Sequence, residues 1–248
     1  MSKALRRTFV AATSLLALLA GASPALPTQG TFLAPIAEHH HDSSLMYGTS
    51  SNWSGYAATG GKFTSVSAEW VQPTVTCTKT DTWSAFWIGL DGDGSRTVEQ
   101  IGTEADCSGG TPVYGSWYEM YPAYPAYFNN AVHPGDHFTA SVTTTGNGVF
   151  NLTLRNVTRN WSRSIAKSLK SATLASAEVI AEAPSSSTGV LPLADFGTVG
   201  FTNAKVNGKS LGASNPSVID MATKDGVTKA TTSGITDGTA FSVTWKHS

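Results

Sequence analysis

Charged side chains are scarce in this sequence: Asp, Glu, Lys and Arg make up 13% of its 248 residues, about half the usual share. Gly, Ser and Thr are plentiful, which is typical of an exported β-rich protein whose surface is solvated by hydroxyls and amides. The formal net charge is −1, and without Lys3, Arg6 and Arg7 it becomes −4, with 13 basic against 17 acidic residues. No basic run interleaved with aromatics remains, so nucleic acid is not an expected partner.

Long apolar runs are also missing, except near the N-terminus. Residues 3–7 include three basic side chains, residues 9–20 are mostly apolar, and Ala20-Gly21-Ala22 and Ser23-Pro24-Ala25 both offer small residues for cleavage. This pattern is typical of a secretory signal peptide and is too short for a membrane anchor. We therefore predict a signal peptide over residues 1–25, a secreted, extracellular protein, and no membrane partner once the signal is removed.

Cysteine occurs only twice, at Cys77 and Cys107. In an oxidising compartment such a pair is most simply a disulfide, which would close a loop that contains Gln100. A metal site or a nucleophilic thiol is less favoured, because neither cysteine has a nearby His and export argues against free thiols.

Residues 26–50 lack strand or helix periodicity and are rich in Pro, Ser, Thr and His. We interpret them as a pro-segment or linker that precedes one domain over residues 51–248. For the His39–His41 run, a solvated stretch is favoured over a metal site, because adjacent ligands on one loop rarely complete a coordination shell. Histidines become protonated at about pH 6 and below, so this run would also suit a pH sensor that loosens the pro-segment.

Helical periodicity is almost absent, and only residues 166–174 have mild helical character. Short alternating segments fill the chain from Asn52 onward, separated by pairs such as Asp91-Gly92 and Asn147-Gly148 that supply the positive φ of tight turns. Strands this frequent predict an antiparallel β-sandwich. The predicted strands cover residues 62–71, 83–90, 97–103, 113–121, 137–145, 149–157, 174–181, 195–201, 217–222 and 240–245.

Alternation also predicts which side chains share a face, because residues two apart on a strand point the same way. Glu178 then shares its face with Ser176 and Ile180. A face that carries Trp, Tyr, Glu and Gln together suits the concave side of a sheet that holds a peptide or glycan. A buried aromatic belt with hydrogen-bonded polar tips explains such a face equally well. The other groups predicted to share a face are Trp83, Ala85 and Trp87; Val98, Gln100 and Gly102; and Trp117, Glu119 and Tyr121.

Three hydrolase signatures are missing: the Gly-x-Ser-x-Gly elbow, the His-Glu-x-x-His zinc motif and the Asp-Thr-Gly of aspartic peptidases. The run Asp91-Gly92-Asp93-Gly94-Ser95 lacks the later Gly and Glu of a calcium loop, so it is interpreted as a turn. Carboxylates in or beside strands remain as candidate reactive groups, namely Glu69, Glu99, Glu104, Glu119, Glu178 and Glu182.

Gln100 and Glu178 each stand among small and apolar neighbours in a predicted strand. Burial raises the pKa of a glutamate unless donors compensate, which suits general acid–base catalysis in an acidic medium. A neutral amide such as Gln100 can donate to a developing oxyanion without adding negative charge. From the residues alone, a sheet-edge amide and a solvated strand carboxylate remain the favoured interpretations of these two positions.

Seven blocks resemble the eqolisin, or glutamic peptidase, family in the family's own order, and they span nearly all of the chain from Asn52 onward. A single block is weak support, whereas seven collinear blocks strongly favour the resemblance. The blocks are Asn52-Trp53-Ser54-Gly55-Tyr56, Trp70-Val71-Gln72-Pro73, Phe86-Trp87-Ile88-Gly89-Leu90-Asp91-Gly92, Glu99-Gln100-Ile101-Gly102-Thr103, Trp117-Tyr118-Glu119-Met120-Tyr121-Pro122, Ala177-Glu178-Val179-Ile180-Ala181-Glu182 and Leu193-Ala194-Asp195-Phe196-Gly197.

The resemblance implies an all-β antiparallel β-sandwich of two sheets of about seven strands, concanavalin-like or jelly-roll in type. It also implies a secreted acid endopeptidase, made as a proprotein, that needs no metal or cofactor. The family's glutamine falls on Gln100 as oxyanion donor, and its glutamate falls on Glu178 as general base and acid. We expect a monomer that takes protein or peptide substrates. Supporting or cleft-lining positions fall on Trp53, Trp87, Asp91, Glu119 and Tyr121.

Two departures from the family pattern concern the subsites. Val179 follows the glutamate where an aromatic residue is common, and Ala183-Pro184 follow Glu182 where an acidic–aromatic pair is common. Two alternatives to a peptidase stay open. One is a β-sandwich glycoside hydrolase or lyase that uses Glu119 and Glu178, and the other is a non-catalytic carbohydrate- or peptide-binding module.

Overall fold

The structure, a computed structural model, describes residues 48–248 and is built almost entirely of short β-strands. Its strands are β1 (Thr49–Ser50), β2 (Trp53–Ala58), β3 (Ser65–Val71), β4 (Ala85–Leu90), β5 (Val98–Ser108), β6 (Thr111–Tyr121), β7 (Ala126–Tyr127), β8 (His137–Thr144), β9 (Val149–Asn156), β10 (Trp161–Ser168), β11 (Ala177–Glu182), β12 (Ser185–Ser186), β13 (Gly189–Val190), β14 (Thr198–Val206), β15 (Lys209–Ser210), β16 (Ser217–Ala222), β17 (Thr228–Thr232) and β18 (Phe241–Trp245). A 3₁₀ turn at Leu211–Ser214 is the only helical element in this range, and none of the described residues forms a helix long and apolar enough to cross a membrane.

Hydrogen bonds join 16 of these strands into one network in the order β10-β9-β8-β3-β14-β18-β17-β16-β2-β11-β4-β5-β6-β7, with β1 and β15 attached at its side. Strand β16 connects two halves of this network, the strands from β10 to β17 and the strands from β2 to β7 in that order. Val218 and Ile219 of β16 pair with β2, whereas Met221 and Ala222 pair with β17. Strands β12 and β13 form a separate hairpin. Among the named strands of residues 48–248, β1 with β16 is the one parallel pair, and the others run antiparallel.

The two halves face each other across one apolar core. Trp70 of β3 donates a 2.9 Å hydrogen bond from its Nε1 to the hydroxyl of Thr103 on β5, so an indole of one layer reaches the other. Trp70 also stacks on Phe138, with ring centroids 5.9 Å apart. The predicted antiparallel sandwich is confirmed. The sequence predicts two sheets of about seven strands, whereas β16 joins the two layers into one hydrogen-bonded network.

Every strand predicted from alternation overlaps an observed strand, and residues 217–222 match β16 throughout. The prediction omits β17, as well as β2, whose six residues are all buried, and β10, whose side chains are mostly exposed. Neither β2 nor β10 alternates between buried and exposed positions, so period two is absent from their sequences. The stretch 166–174 is not helical, since its first residues end β10 and a turn follows.

The disulfide predicted between Cys77 and Cys107 is confirmed, with Cα atoms 5.4 Å apart, and its loop contains Gln100. Thr49 and Ser50, at the end of the predicted pro-segment, form β1 against Asp220 and Met221. The predicted signal peptide, the His39–His41 run and the remainder of the predicted pro-segment up to residue 47 lie outside the described residues.

Candidate active site

The layer that contains β2, β4, β5, β6 and β11 carries a second apolar cluster on the face turned away from the main core. These positions alternate along the strands with the residues of the main core, so Trp117 and Tyr121 share a face, as alternation predicts, and strand pairing places Trp87 on that face as well. The cluster consists of Trp53, Ala57, Ala85, Trp87, Val98, Trp117, Ile180 and Ile219, with Tyr121 packed against them.

Glu178, Gln100 and Glu119 lie in one line across this face. Glu178 of β11 pairs with Gly89 of β4, Gly89 pairs with Gln100 of β5, and Gln100 pairs with Glu119 of β6. Residues directly opposite each other on paired strands project to the same side of the sheet. Neighbouring strands are about 4.8 Å apart, so the backbones of Glu178 and Gln100 are separated by about 10 Å.

Gly89 provides the space between these two side chains. A Cβ at this position would lie 3.0 Å from the Trp87 ring and 3.2 Å from the Cβ of Gln100, closer than side chains normally pack. A larger residue would therefore occupy the gap through which Glu178 and Gln100 face each other. Glycine at this position leaves the space between the two side chains open.

Glu119 orients the amide of Gln100. The Nε2 of Gln100 donates a hydrogen bond of 2.6 Å to Oε2 of Glu119, and both side chains are buried. An amide nitrogen carries two hydrogens, so this bond involves one of them and defines the direction of the other. A donor that is oriented beforehand needs no rearrangement when negative charge develops on a carbonyl oxygen.

Glu178 is fully buried, and this desolvation raises its pKa well above the usual value. The Ser176 hydroxyl opposes the rise, the carboxylates of Asp93 and Asp91 add to it, and the backbone N–H of Asp93 opposes it. These two donors lie near Glu178, but within residues 48–248 neither of its carboxyl oxygens accepts a hydrogen bond of full geometry. Such a group is suited to exchange a proton with water or substrate.

Glu182 lies four residues beyond Glu178 on the same face of β11. It supports the indoles of Trp53 and Trp87, which are called here the aromatic wall. Its Oε2 accepts a 2.7 Å hydrogen bond from Nε1 of Trp87, and its Oε1 accepts one of 3.1 Å from the amide of Asn52. Trp87 in turn meets Trp53 edge-on, with ring centroids 5.1 Å apart. These contacts fix both indoles beside the line of Glu178 and Gln100.

Asp91 is buried and lies at the end of β4, where it organises the segment that leads into β11. Its carboxylate accepts hydrogen bonds from the Thr173 hydroxyl and from the backbone N–H groups of Thr173, Leu174 and Ala175, at 2.7 to 3.1 Å. Asp91 therefore contacts the loop that begins shortly before Glu178, which is a positioning role.

Sequence reasoning placed Trp53, Trp87, Glu119 and Tyr121 beside the two central residues, and the structure brings them onto the same layer around the Glu178–Gln100 line. Sequence reasoning did not assign a role to Asn52, Ser176 or Gly89, and it named Glu182 only as a candidate reactive carboxylate. Alternation along β11 already places Glu182 on the Glu178 face. The contributions of Asn52 and Gly89 depend on which strands are neighbours, and no local pattern contains that information.

Two more carboxyls, Glu104 and Asp106, follow Gln100 on the same face of β5, and both are buried. The Oδ1 of Asp106 accepts a 3.0 Å hydrogen bond from the backbone of Ser84. Burial raises the pKa of Glu104 to about 7, and the hydroxyl of Tyr127 lowers it in part. Burial raises the pKa of Asp106 as well, and the neighbouring Glu104 adds to that rise.

We expect the free energy of unfolding to fall as the pH rises from 4.5, the ordinary pKa of a glutamate, to about 7. In that window the folded protein retains protons on Glu104 and Asp106 that the unfolded chain has released, so rising pH favours the unfolded chain. The shift on Glu104 corresponds to about 3 kcal/mol. Urea unfolding at several pH values measures this loss.

The variant Glu104→Gln should flatten this pH dependence, because it replaces a titrating carboxyl by a neutral amide of the same shape. Asp225→Asn is the matched control, since Asp225 is an exposed turn residue. A pH dependence that Glu104→Gln leaves as steep as in the wild type would contradict the assignment.

Comparison with known proteins identifies the family of the chain. The model of the family described as the Peptidase A4 family matches residues 51–245. The chain belongs to this family. The eqolisin resemblance is thereby confirmed, and with it the interpretation of the chain as a peptide hydrolase of the glutamic class.

Individual relatives of this Peptidase A4 chain cover most of its length. Aspergillopepsin-2 from Aspergillus niger is 29% identical over 201 residues, which are 69% of this chain and 70% of the relative. Scytalido-glutamic peptidase, solved with a transition state analog inhibitor, superposes with a TM-score of 0.69 at 27% identity, over 79% of this chain and 98% of that one. SCP-B, an eqolisin solved with the tripeptide Ala-Ile-His, has a TM-score of 0.65 at 26% identity, with the same coverage.

Proposed function

We propose that this chain is a secreted, monomeric acid endopeptidase in which Glu178 and Gln100 form the catalytic pair. The observation that carries the proposal is the line Glu178–Gly89–Gln100–Glu119 across one face of the sheet. It combines a buried carboxyl of raised pKa, an oriented amide and a glycine gap between them. Two similar structures, scytalido-glutamic peptidase with a peptide-based transition state analog and SCP-B with a tripeptide, support peptides as the substrate.

In the proposed reaction, Glu178 as carboxylate takes a proton from a water held between it and Gln100. The resulting hydroxide attacks the scissile carbonyl carbon, and an N–H of Gln100 donates to the oxyanion of the tetrahedral intermediate. Protonated Glu178 then passes its proton to the leaving amine as the C–N bond breaks, which regenerates the carboxylate. The steps balance without a metal or a second carboxylate.

At low pH the raised pKa leaves only a fraction of the Glu178 side chains ionised, and this fraction begins the reaction. A carboxyl that binds its proton tightly is a stronger base when ionised, and it retains the proton until the leaving amine takes it. The buried carboxyls Glu104 and Asp106 favour the folded state in acid, which supports an enzyme that works at low pH.

The test is to express the whole proprotein, acidify it, and follow its self-processing and the cleavage of casein. A chelator and an aspartic-peptidase inhibitor should be present, and we expect cleavage to continue in both. Cleavage of a polysaccharide with casein left intact would instead indicate the glycoside hydrolase. Ligand binding without any turnover, at every pH at which the protein is folded, would indicate a binding module.

A further inference from the structure

A cavity of about 720 Å³ opens at one end of the candidate active site, beside the turn between β4 and β5. Thr97, one of its lining residues, lies three residues before Gln100. Pro122, another, follows Tyr121, which pairs with Val98. The residues that line the cavity are Gly92, Gly94, Ser95, Arg96, Thr97, Pro122, Ser171 and Thr173.

The cavity, called here the Arg96 pocket, is within reach of a substrate held at Gln100. A strand rises about 3.3 Å per residue, so Thr97 is about 10 Å from Gln100 along β5. Gly92 joins the pocket to the aromatic wall, because a Cβ there would lie 2.9 Å from the Trp53 ring. An extended peptide bound at the catalytic pair would therefore place a side chain two to four residues from the scissile bond at this pocket, by the same rise of roughly 3.3 Å per residue.

The chemistry of the pocket favours an anion. Arg96 is its one charged lining residue, and the side chains of Ser95, Thr97 and Ser171 add hydroxyls, whereas the Thr173 hydroxyl already donates to Asp91. The Arg96 guanidinium is exposed, and its side chain forms no ion pair or hydrogen bond with any residue between 48 and 248. A guanidinium has a planar set of donors that matches a carboxylate.

The charge of the face is also asymmetric. Glu104 and Asp106 lie on β5 beyond Gln100, whereas Arg96 precedes it at the opposite end. Asp93, on the same turn as Arg96, does not line the pocket, and the carboxylate of Asp91 is already bonded to the 173–175 backbone. Among the residues that line the Arg96 pocket, the one charge that a substrate carboxylate meets is therefore attractive.

We propose that the Arg96 pocket binds an Asp or Glu side chain of the substrate peptide, which makes Arg96 a specificity-determining residue. This inference rests on the proposed peptidase function. It predicts cleavage sites with an acidic residue at a fixed distance from the scissile bond, on one side of it.

The test uses acetylated and amidated peptides, so that no terminal carboxylate can occupy the pocket. One reference peptide is varied by placing Glu, Gln or Lys at each of the four positions on either side of the scissile bond. We expect Glu to raise kcat/KM over Gln about five- to tenfold at one position. The preference should hold at about pH 5, where Glu is ionised, and fade at about pH 3, where it is neutral.

Variants of Arg96 separate charge from shape. Arg96→Gln should abolish the preference for Glu, and Arg96→Glu should convert it into a preference for Lys, each measured as a ratio of kcat/KM values within the same variant. Arg155→Glu is the matched control, because it makes the same charge change at an exposed residue of β9 in the other half of the sheet. It should leave the preference intact.

Binding gives a second readout. Peptide anisotropy measured with the Glu178→Gln variant at about pH 5 should show the same Glu-over-Gln ratio in Kd without turnover. If the wild type cleaves the neutral peptide but shows no preference for Glu at any position, the pocket assignment is wrong and the peptidase proposal stands. If a folded wild type cleaves none of the peptides, both proposals are overturned.

Discussion

Replacing Glu178 with Gln is expected to lower kcat for casein and peptide cleavage by about 10⁴-fold, the upper end of what a positioned acid–base group contributes. The amide has the shape of the protonated carboxyl but cannot take a proton from water or return one to the leaving amine. The loss should appear in kcat, because the side chain still fills the same space and the peptide still binds the surrounding face.

The loss of activity should not come from unfolding. Glu178 is fully buried with a raised pKa, so a neutral amide removes the cost of ionising a buried acid. Glu178→Gln should therefore unfold at an equal or higher temperature than the wild type when the pH is near neutral. Glu69→Gln is the matched control, since Glu69 lies on β3 of the other half, where it bonds to His137. A Glu178→Gln protein that still digests denatured casein in acid would falsify the role of Glu178.

Replacing Gln100 with Ala is expected to lower kcat by about 10²–10³-fold and to change KM little, which is the usual effect of removing one oxyanion donor. The effect should be smaller than that of Glu178→Gln, because the base remains in place. The amide also bonds to Glu119, so part of the loss reflects a change in the position of that carboxyl.

The variant Gln100→Glu distinguishes hydrogen-bond donation to the oxyanion from the support of Glu119. A protonated carboxyl can donate a hydrogen bond as the amide does, whereas an ionised one repels the oxyanion. Activity of Gln100→Glu should therefore persist in part at low pH and disappear as the pH rises, while Gln100→Ala should show no such recovery in acid. Equal activity of these two variants at every pH would show that hydrogen-bond donation at this position is not what matters.

Gln72→Ala is the matched control for loss of a buried amide. Gln72 donates a 3.0 Å hydrogen bond to the backbone of Glu104 and lies outside the Glu178–Gln100 line. Its replacement should lower stability and leave kcat per folded molecule nearly unchanged. A kcat loss as large as that of Gln100→Ala would indicate that both residues act by supporting the sheet.

Much of the architecture follows from local patterns in the sequence. Alternation at period two predicts the strands and the faces of Trp87, Gln100 and Trp117, because a side chain's direction depends only on its place in the pleat. The single cysteine pair predicts the disulfide, since two cysteines in a chain with a predicted signal peptide have one simple pairing. The collinear blocks predict the family and single out Gln100 and Glu178.

Tertiary structure decided the remainder, because strand pairing is not local. Glu178 stands opposite Gly89 only because β11 inserts between β2 and β4, which are distant from it in the chain. The pKa of Glu178 depends on the burial that this insertion produces, and the amide of Gln100 is oriented by a residue on the next strand. The sequence by itself therefore determined which groups are available for chemistry and on which faces they lie. Pairing across the sheet determined that a carboxyl and an amide meet over a glycine, since that register results from contacts among all the strands together.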